Sequence, residues 1–220
     1  MEASYVIFAV VVALSGIASE TVLLDEVVAT VDTEVITRSE VEAEARLIML
    51  QRFGPDALSR EPSADLLSQV LRMLINHKLM ATEALRIGLP PLGDAERKKL
   101  LQGFKMKFRS EDEYLRFLYR YGFTDEQVAE VLARHVWIER LKKRKLSTLK
   151  RIGDGQIRAY YRKHRAELGG KPLQLVYEAI RLKLLSNQRQ KFLSDWLWKL
   201  RRQHTVRVLV DFGTGKTAEP

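Results

Sequence analysis

The residue types that most often do chemistry are present in this 220-residue chain, but few stand at the spacing that chemistry requires. Gly215-Lys216-Thr217, near the C-terminus, has the composition of a phosphate-binding loop. That motif needs another glycine five residues before Gly215, where backbone N–H groups cradle the phosphate. Val210 occupies the position instead. The sequence therefore predicts no nucleotide site.

The sequence also lacks the motifs of a metal site or of a catalytic site. The chain has no cysteine, which excludes a thiol nucleophile, and no histidine lies in an HExxH pattern or a cluster. Glu111-Asp112-Glu113 stands at a predicted helix start, where acidic side chains favour the helix dipole. We expect no catalytic residue, no cofactor and no metal. The histidines are expected on surfaces or helix flanks: His77, His135, His164 and His204.

The elements that would position any site begin with a hairpin and a capped helix. Val27–Val31 and Glu34–Ile36 are β-branched runs separated by Asp32-Thr33, a pattern typical of two short strands joined by a turn. Thr37-Arg38-Ser39-Glu40 fits a capping box, in which side chains at both ends satisfy backbone N–H groups. The apolar residues that follow recur at helical spacing until Gly54-Pro55.

The rest of the chain is predominantly helical in pattern. Two further capping boxes are predicted, at Ser110–Glu113 and at Thr124–Gln127. Gly88 and the Gly169-Gly170 pair mark helix ends. The predicted helices run from Ala64 to about Gly88, Asp94 to Phe108, Ser110 to Tyr121, Thr124 to Lys145, Gln156 to Leu168 and Leu173 to Gln203.

A last strand follows these helices. Thr205–Phe212 alternates apolar and polar residues, as a strand does. An isolated hairpin is marginally stable, so we expect Val206–Val210 to pair with Val27–Val31. The predicted fold class is therefore mainly α, a multi-helix core with a small β-sheet made by the N-terminal strands and the C-terminal strand.

The first residues have the pattern of an export signal. Tyr5–Leu14 is an apolar run, shorter than the roughly 20 residues of a membrane span, and small residues at 15–19 follow it. No basic residue precedes the run, so a buried element and an uncleaved membrane anchor remain as alternatives. The predicted organisation is a leader over residues 1–19, a single core over 20–212, divided near residue 150, and a disordered tail over 213–220.

The positive charge is concentrated in the C-terminal part. Residues 1–133 hold 15 Lys and Arg against 21 Asp and Glu, whereas residues 134–220 hold 22 against 7. Such a basic half is typical of a solvated surface, or of a protein that meets an anionic membrane, acidic polypeptide or nucleic acid. The first turns of the helix after Thr124 are acidic, which argues against its insertion into DNA. We therefore expect no nucleic-acid partner.

The order of these elements resembles the SurA-like periplasmic chaperones, also described as SurA N-terminal or trigger-factor-like. VVATVDTEVITRSEVEAEA resembles the opening of that family, a short strand, a turn that begins with Asn or Asp and an I-T-x-S-E helix start. The similarity extends loosely over residues 24–212. The matching positions are Val28–Val31, Asp32, Ile36, Thr37, Ser39, Glu40, Leu71, Leu74, Ile75, Leu79, Glu83, Ala84, Gly88, Leu118, Gly122, Leu132, Ile157, Tyr160 and Tyr161.

The resemblance implies an ATP-independent holdase of the Gram-negative periplasm. Its clients would be unfolded polypeptides, in particular outer-membrane protein precursors, and membrane contact would be confined to the leader or the basic half. Many relatives carry a prolyl isomerase domain where this chain has only residues 169–172, so no isomerase residue carries over and we expect no enzyme. A prolyl isomerase by lineage and a basic nucleic-acid-binding protein are the alternative functions.

Flexible apolar side chains are the candidate peptide-binding residues. Methionine adapts to varied partners, and aromatic rings add contact area. The same residues in an ordinary core would show the same spacing. The candidates are Met49, Phe53, Met73, Met80, Phe104, Met106 and Phe108.

Overall fold

The structure, a computed structural model, describes residues 25–213. Within this range the fold class is confirmed as mainly α with a small antiparallel sheet. The predicted leader, and all of the predicted tail except Gly213, lie outside the described residues. The elements are β1 Val27–Val31, β2 Glu34–Thr37, α1 Arg38–Phe53, α2 Ala64–Arg86, α3 Asp94–Lys105, α4 Glu111–Tyr121, α5 Asp125–Leu146, α6 Asp154–His164, α7 Leu173–Gln203 and β3 Val206–Val208, with a 3₁₀ turn at Pro55–Ser59.

The N-terminal hairpin forms as predicted. β1 and β2 pair antiparallel, and Val31 stands opposite Glu34 across the turn. Asp32 adopts a φ of 53°, a left-handed conformation that Asp and Asn tolerate better than other non-glycine residues. The predicted hairpin and its position are therefore confirmed.

Serine and threonine side chains cap the helices at the predicted positions. The hydroxyls of Thr37, Ser110 and Thr124 accept hydrogen bonds from the backbone N–H three residues on, at 3.2 to 3.3 Å. Only Thr124 has the complete box, because Gln127 accepts from its N–H at 2.8 Å. The other two acidic partners turn elsewhere: Glu40 contacts Arg134, and Glu113 accepts from the N–H of residue 109.

The two ends of the described chain meet in the sheet. β3 pairs antiparallel with β1, giving the order β2-β1-β3, so the predicted closing strand is confirmed. The N–H of Asp32 donates to the Thr205 carbonyl at 2.8 Å. The Asp32 carboxylate accepts from the Thr205 N–H at 2.8 Å and contacts His204 Nδ1 at 2.6 Å. The turn of the hairpin is thereby fastened to the end of α7.

Three groups of buried side chains hold the elements together. The main core joins β1, β2, α1, α2, α5 and the end of α7, with Val28, Leu74 and Ile138 at its centre. A second, aromatic cluster joins α1, α3, α4 and the start of α5. A third and smaller group lies between α6 and α7; its buried members are Ile157, Val176 and Ile180.

Some helix ends differ from the prediction. α3 stops at Lys105 because the chain turns there, and this turn brings Phe108 back into the aromatic cluster. α6 stops at His164, and residues 165–172 form the turn into α7. Of the helices in residues 25–213, none combines the length and the apolar character needed to cross a membrane.

We predict that Asp32→Ala weakens the closure of the sheet. The change removes the acceptor for Thr205 and puts an alanine at positive φ, so the thermal unfolding midpoint should fall by a few degrees. Asp32→Asn is the control, because asparagine keeps an acceptor oxygen and tolerates the same φ. Equal midpoints for the wild type and Asp32→Ala in differential scanning fluorimetry would contradict the role assigned to Asp32.

Candidate functional site

An open groove lies across α5. Its volume is about 870 Å³, and its walls are the start of α1 and the exposed side of α3. Apolar side chains occupy part of its surface, among them Leu101, Phe123 and Val131. The groove therefore offers apolar contact area that solvent can reach.

Charged side chains line the same groove, and several are already paired. Arg97 on α3 forms an ion pair with Glu130 on α5. Arg134 on α5 contacts Glu40 on α1 at 3.2 Å. These pairs cross the groove surface from helix to helix. They are partly exposed, so a polar group of a bound partner can exchange with them at little cost.

A buried charge network lies beneath the α1 side of the groove. The Glu44 side chain has no exposed surface; it accepts a hydrogen bond from Arg134 Nη2 at 2.8 Å and contacts His135 Nε2 at 2.5 Å. Burial raises the pKa of the Glu44 carboxyl, but its contacts with His135 and Arg134 outweigh this and hold the pKa below its usual value. Glu44 is thus an ionised buried anchor between α1 and α5.

His77 extends this network to α2, which corrects the expectation that it lies on a surface. Only 8% of the residue is exposed, and its ring packs edge-on against His135 with centroids 5.3 Å apart. Burial lowers the pKa of His77 to about 4, and the proximity of His135 adds to the effect. His77 is therefore neutral at pH 7. The histidines are isolated in the sequence. The contact between His77 and His135 could not be predicted, because it forms only when α2 and α5 pack together.

A second ion-pair cluster ties α7 to the body. Lys145, near the end of α5, donates to Glu83 on α2 at 2.6 Å and lies over the Trp196 ring on α7 at 5.4 Å. Hydrogen bonds from Arg86 and Lys145 hold the pKa of Glu83 well below its usual value. The C-terminal ends of α2 and α5 are thereby fixed beside the second half of α7.

The seven candidate peptide-binding residues differ in how exposed they are. Four are buried, so in this conformation they are core: Met49, Phe104 and Phe108 lie in the aromatic cluster, and Met80 lies in the main core. Met73 is half-buried against the main core. Phe53 and Met106 are 72% and 82% exposed and can meet a partner directly. Peptide binding by any of the seven stays a prediction.

Comparison with known proteins decides the family. The family described as the SurA-like N-terminal domain matches residues 2–142. This chain belongs to that family. The match includes the hairpin, the groove and the buried network, and it ends within α5. The predicted resemblance to SurA-like chaperones is confirmed.

Two curated SurA-like relatives show how far the similarity reaches. The protein named Chaperone SurA from Cupriavidus pinatubonensis (strain JMP 134 / LMG 1197) is 32% identical over 144 residues, 63% of this chain and 28% of that protein. The Chaperone SurA of Ralstonia nicotianae (strain ATCC BAA-1114 / GMI1000) is 29% identical over 143 residues, 64% of this chain and 28% of that protein. The aligned part is thus a little over a quarter of either relative.

The join between α6 and α7 bears on the isomerase alternative. α6 ends at His164 and α7 begins at Leu173, so eight residues connect them. Gly169 and Gly170 both have positive φ, which allows the chain to reverse within this short turn. The turn has no space for an inserted domain at this position. The absence of enzymatic activity in the protein stays a prediction.

Removing the charge of Glu44 should destabilise the fold severely. Glu44→Gln leaves the partly buried Arg134 without its fully buried partner, and we expect the free energy of unfolding to fall by about 3 kcal/mol. Glu40→Gln is the matched control: Glu40 contacts the same arginine but is partly exposed, so its loss should cost under about 1 kcal/mol. Urea unfolding of both variants tests this difference. A smaller loss for Glu44→Gln than for Glu40→Gln would contradict it.

Acid should destabilise the fold through His77. Above pH 6.5 the side chain is neutral in both folded and unfolded states; between pH 6.5 and about 4 only the unfolded chain takes up the proton. The stability contributed by His77 is therefore lost as the pH falls through this window, in total on the order of 3 kcal/mol. His77→Phe, whose ring can occupy the adjacent cavity of about 250 Å³, should flatten the pH dependence measured by urea unfolding. Identical slopes would refute the assignment.

Proposed function

We propose that this protein is an ATP-independent chaperone that holds unfolded polypeptides outside the cytoplasm. The observation that carries the proposal is the match of residues 2–142 to the SurA-like N-terminal domain, together with relatives named Chaperone SurA. Outer-membrane protein precursors are the proposed clients. They are exported in unfolded form and expose alternating apolar and polar residues, which need temporary cover.

The groove across α5 suits weak and reversible binding. Its apolar patches cover parts of an unfolded chain, and its paired charges exchange with polar groups of the client. Neither step needs a nucleotide, because the affinity comes from many small contacts. Phe53 and Met106 add exposed and adaptable apolar contacts on the same protein. A client held in this way is protected and still able to leave.

The proposed location is the periplasm, with the apolar leader as the export signal. The family and the apolar run at Tyr5–Leu14 support it, and an uncleaved leader would anchor the protein to the inner membrane. N-terminal sequencing of the protein from a periplasmic fraction should find a start near Glu20. Protein confined to the cytoplasm with residues 1–19 intact would exclude this location.

The chaperone activity is measured by light scattering. A urea-denatured outer-membrane β-barrel protein is diluted, without nucleotide, into buffer that holds an equimolar amount of this chain. We expect aggregation to fall severalfold relative to serum albumin. Phe53→Gln/Met106→Gln should protect less than the wild type, because glutamine removes the two exposed apolar contacts. Leu115→Gln/Tyr119→Gln, which changes two exposed side chains on α4, is the matched control.

The outcomes of this assay are distinct. Aggregation at the albumin rate in the presence of wild-type protein would exclude the holdase function. Equal protection by the Phe53→Gln/Met106→Gln variant would leave the holdase function in place and remove these two residues from the binding surface. A proline-limited refolding assay on the same preparation should show no acceleration, and a clear acceleration would favour the isomerase alternative.

A further inference from the structure

α7 is longer than the body that supports it. Its second half packs against the main core through Trp196, Leu197 and Leu200. The buried residues of its first half, Val176 and Ile180, pack against α6. We call residues 154–189, which comprise α6, the connecting turn and the first half of α7, the arm. The arm has its own small core and extends from the body.

The body covers one side of the second half of α7, whereas α6 covers the opposite side of the first half. Leu182 and Leu200 are eighteen residues apart, which is five turns at 3.6 residues per turn, so they lie on one face. Leu200 is 4% exposed and Leu182 is 56% exposed. Ile180, which precedes Leu182 by two residues, faces the other way and is covered by α6. The stripe that contacts the body in the second half therefore continues uncovered along the first half.

The uncovered stripe continues beyond the end of the body. Leu175 is 76% exposed and lies seven residues before Leu182, close to the same face. The C-terminal ends of α2 and α5 lie beside Trp196, where Glu83, Lys145 and the indole ring meet. At 1.5 Å per residue, Leu182 and Leu175 are about 21 and 32 Å from Trp196 along the helix. The stripe thus faces the space beyond the ends of α2 and α5.

The arm is positively charged, and its own acids are occupied. Residues 154–189 hold eight Lys and Arg against three Asp and Glu. The Asp154 carboxylate accepts from Tyr177, Glu167 contacts His164 and Glu178 contacts Arg181. Seven cations of the arm consequently have no carboxylate partner within residues 25–213. They are Arg158, Arg162, Lys163, Arg165, Lys171, Lys183 and Arg189.

We propose that the uncovered stripe of the arm, which carries Leu175 and Leu182, binds extended segments of unfolded polypeptide that combine apolar and acidic residues. This inference rests on the proposed chaperone function and names the client segments that one surface selects. The uncompensated positive charge attracts acidic side chains, while the two leucines cover apolar ones.

Two other occupants fit the surface less well. A second copy of this chain would bring two arms of like charge together, which is unfavourable. A flat lipid surface fits poorly here, because Leu175 and Leu182 lie on the face of α7 that continues onto the body. An extended chain is narrow and flexible enough to lie along the stripe next to the body.

The test measures peptide affinity with the full-length protein. Two fluorescent unfolded peptides share the same apolar residues and differ only in carrying glutamate or lysine between them. Fluorescence anisotropy should show binding of the glutamate peptide at least about tenfold tighter, with an affinity that weakens as salt is added. Leu175→Gln/Leu182→Gln should bind the glutamate peptide at least about tenfold more weakly. Both leucines are exposed and glutamine is a good helix former, so the variant should fold.

Control variants separate this inference from the proposed function. Leu115→Gln/Tyr119→Gln, on α4, should bind the glutamate peptide as the wild type does. Lys183→Glu/Arg189→Glu should lose the preference for glutamate. If wild-type protein suppresses aggregation while the Leu175→Gln/Leu182→Gln variant binds and protects equally well, the inference is wrong and the chaperone function stands.

The remaining outcomes concern the alternative occupants. Wild-type dimers that Leu175→Gln/Leu182→Gln converts to monomers, measured by light scattering after size-exclusion chromatography, would assign the stripe to a second copy. Loss of binding to anionic lipid vesicles in the same variant, with peptide binding intact, would assign it to a membrane. Either result would overturn the proposal.

Discussion

The structure depends on the pairing of β3 with β1, which joins residues more than 170 positions apart in the chain. The N-terminal hairpin alone is a two-stranded ribbon, and such ribbons are marginal in water. β3 pairs with the free edge of β1, so β1 lies between two strands, and the Asp32 contacts fasten this pairing. Val28 and Val31 on β1 pack into the main core. We propose that the core folds as one cooperative unit because neither end of the chain completes the sheet alone.

This closure sets the position of α7 and therefore of the arm. Thr205 is fastened to Asp32, so the end of α7 lies against the sheet, and Trp196 and Leu200 then lie against α2 and α5. The helix is 31 residues long, which is more than the body covers. Its first half must extend beyond the body and needs α6 as a partner. The stripe is uncovered because the C-terminal end of α7 is fixed to the sheet and the helix is longer than the body.

Much of the fold could be predicted from local patterns in the sequence. Thr37, Ser110 and Thr124 act through backbone groups only three residues away, so their capping role is visible in the sequence itself. The burial of Phe104 and Phe108 could not be predicted in this way, because core and binding surfaces use the same apolar residues. The contacts of Glu44 with Arg134 and of His77 with His135 join different helices and follow from packing. The change of covered face along α7 likewise depends on where the body ends.

Closure of the sheet belongs to the cooperative core, and native-state hydrogen exchange can measure this at single amides. The Asp32 N–H bonds to the Thr205 carbonyl and the Leu209 N–H bonds to the Val28 carbonyl, so both amides report the β1–β3 junction. Ile138, fully buried in α5, reports the core. We expect all three amides to exchange with a similar opening free energy, through global unfolding. Exchange of Asp32 and Leu209 at nearly the rate of an unfolded peptide, while Ile138 stays protected, would contradict it.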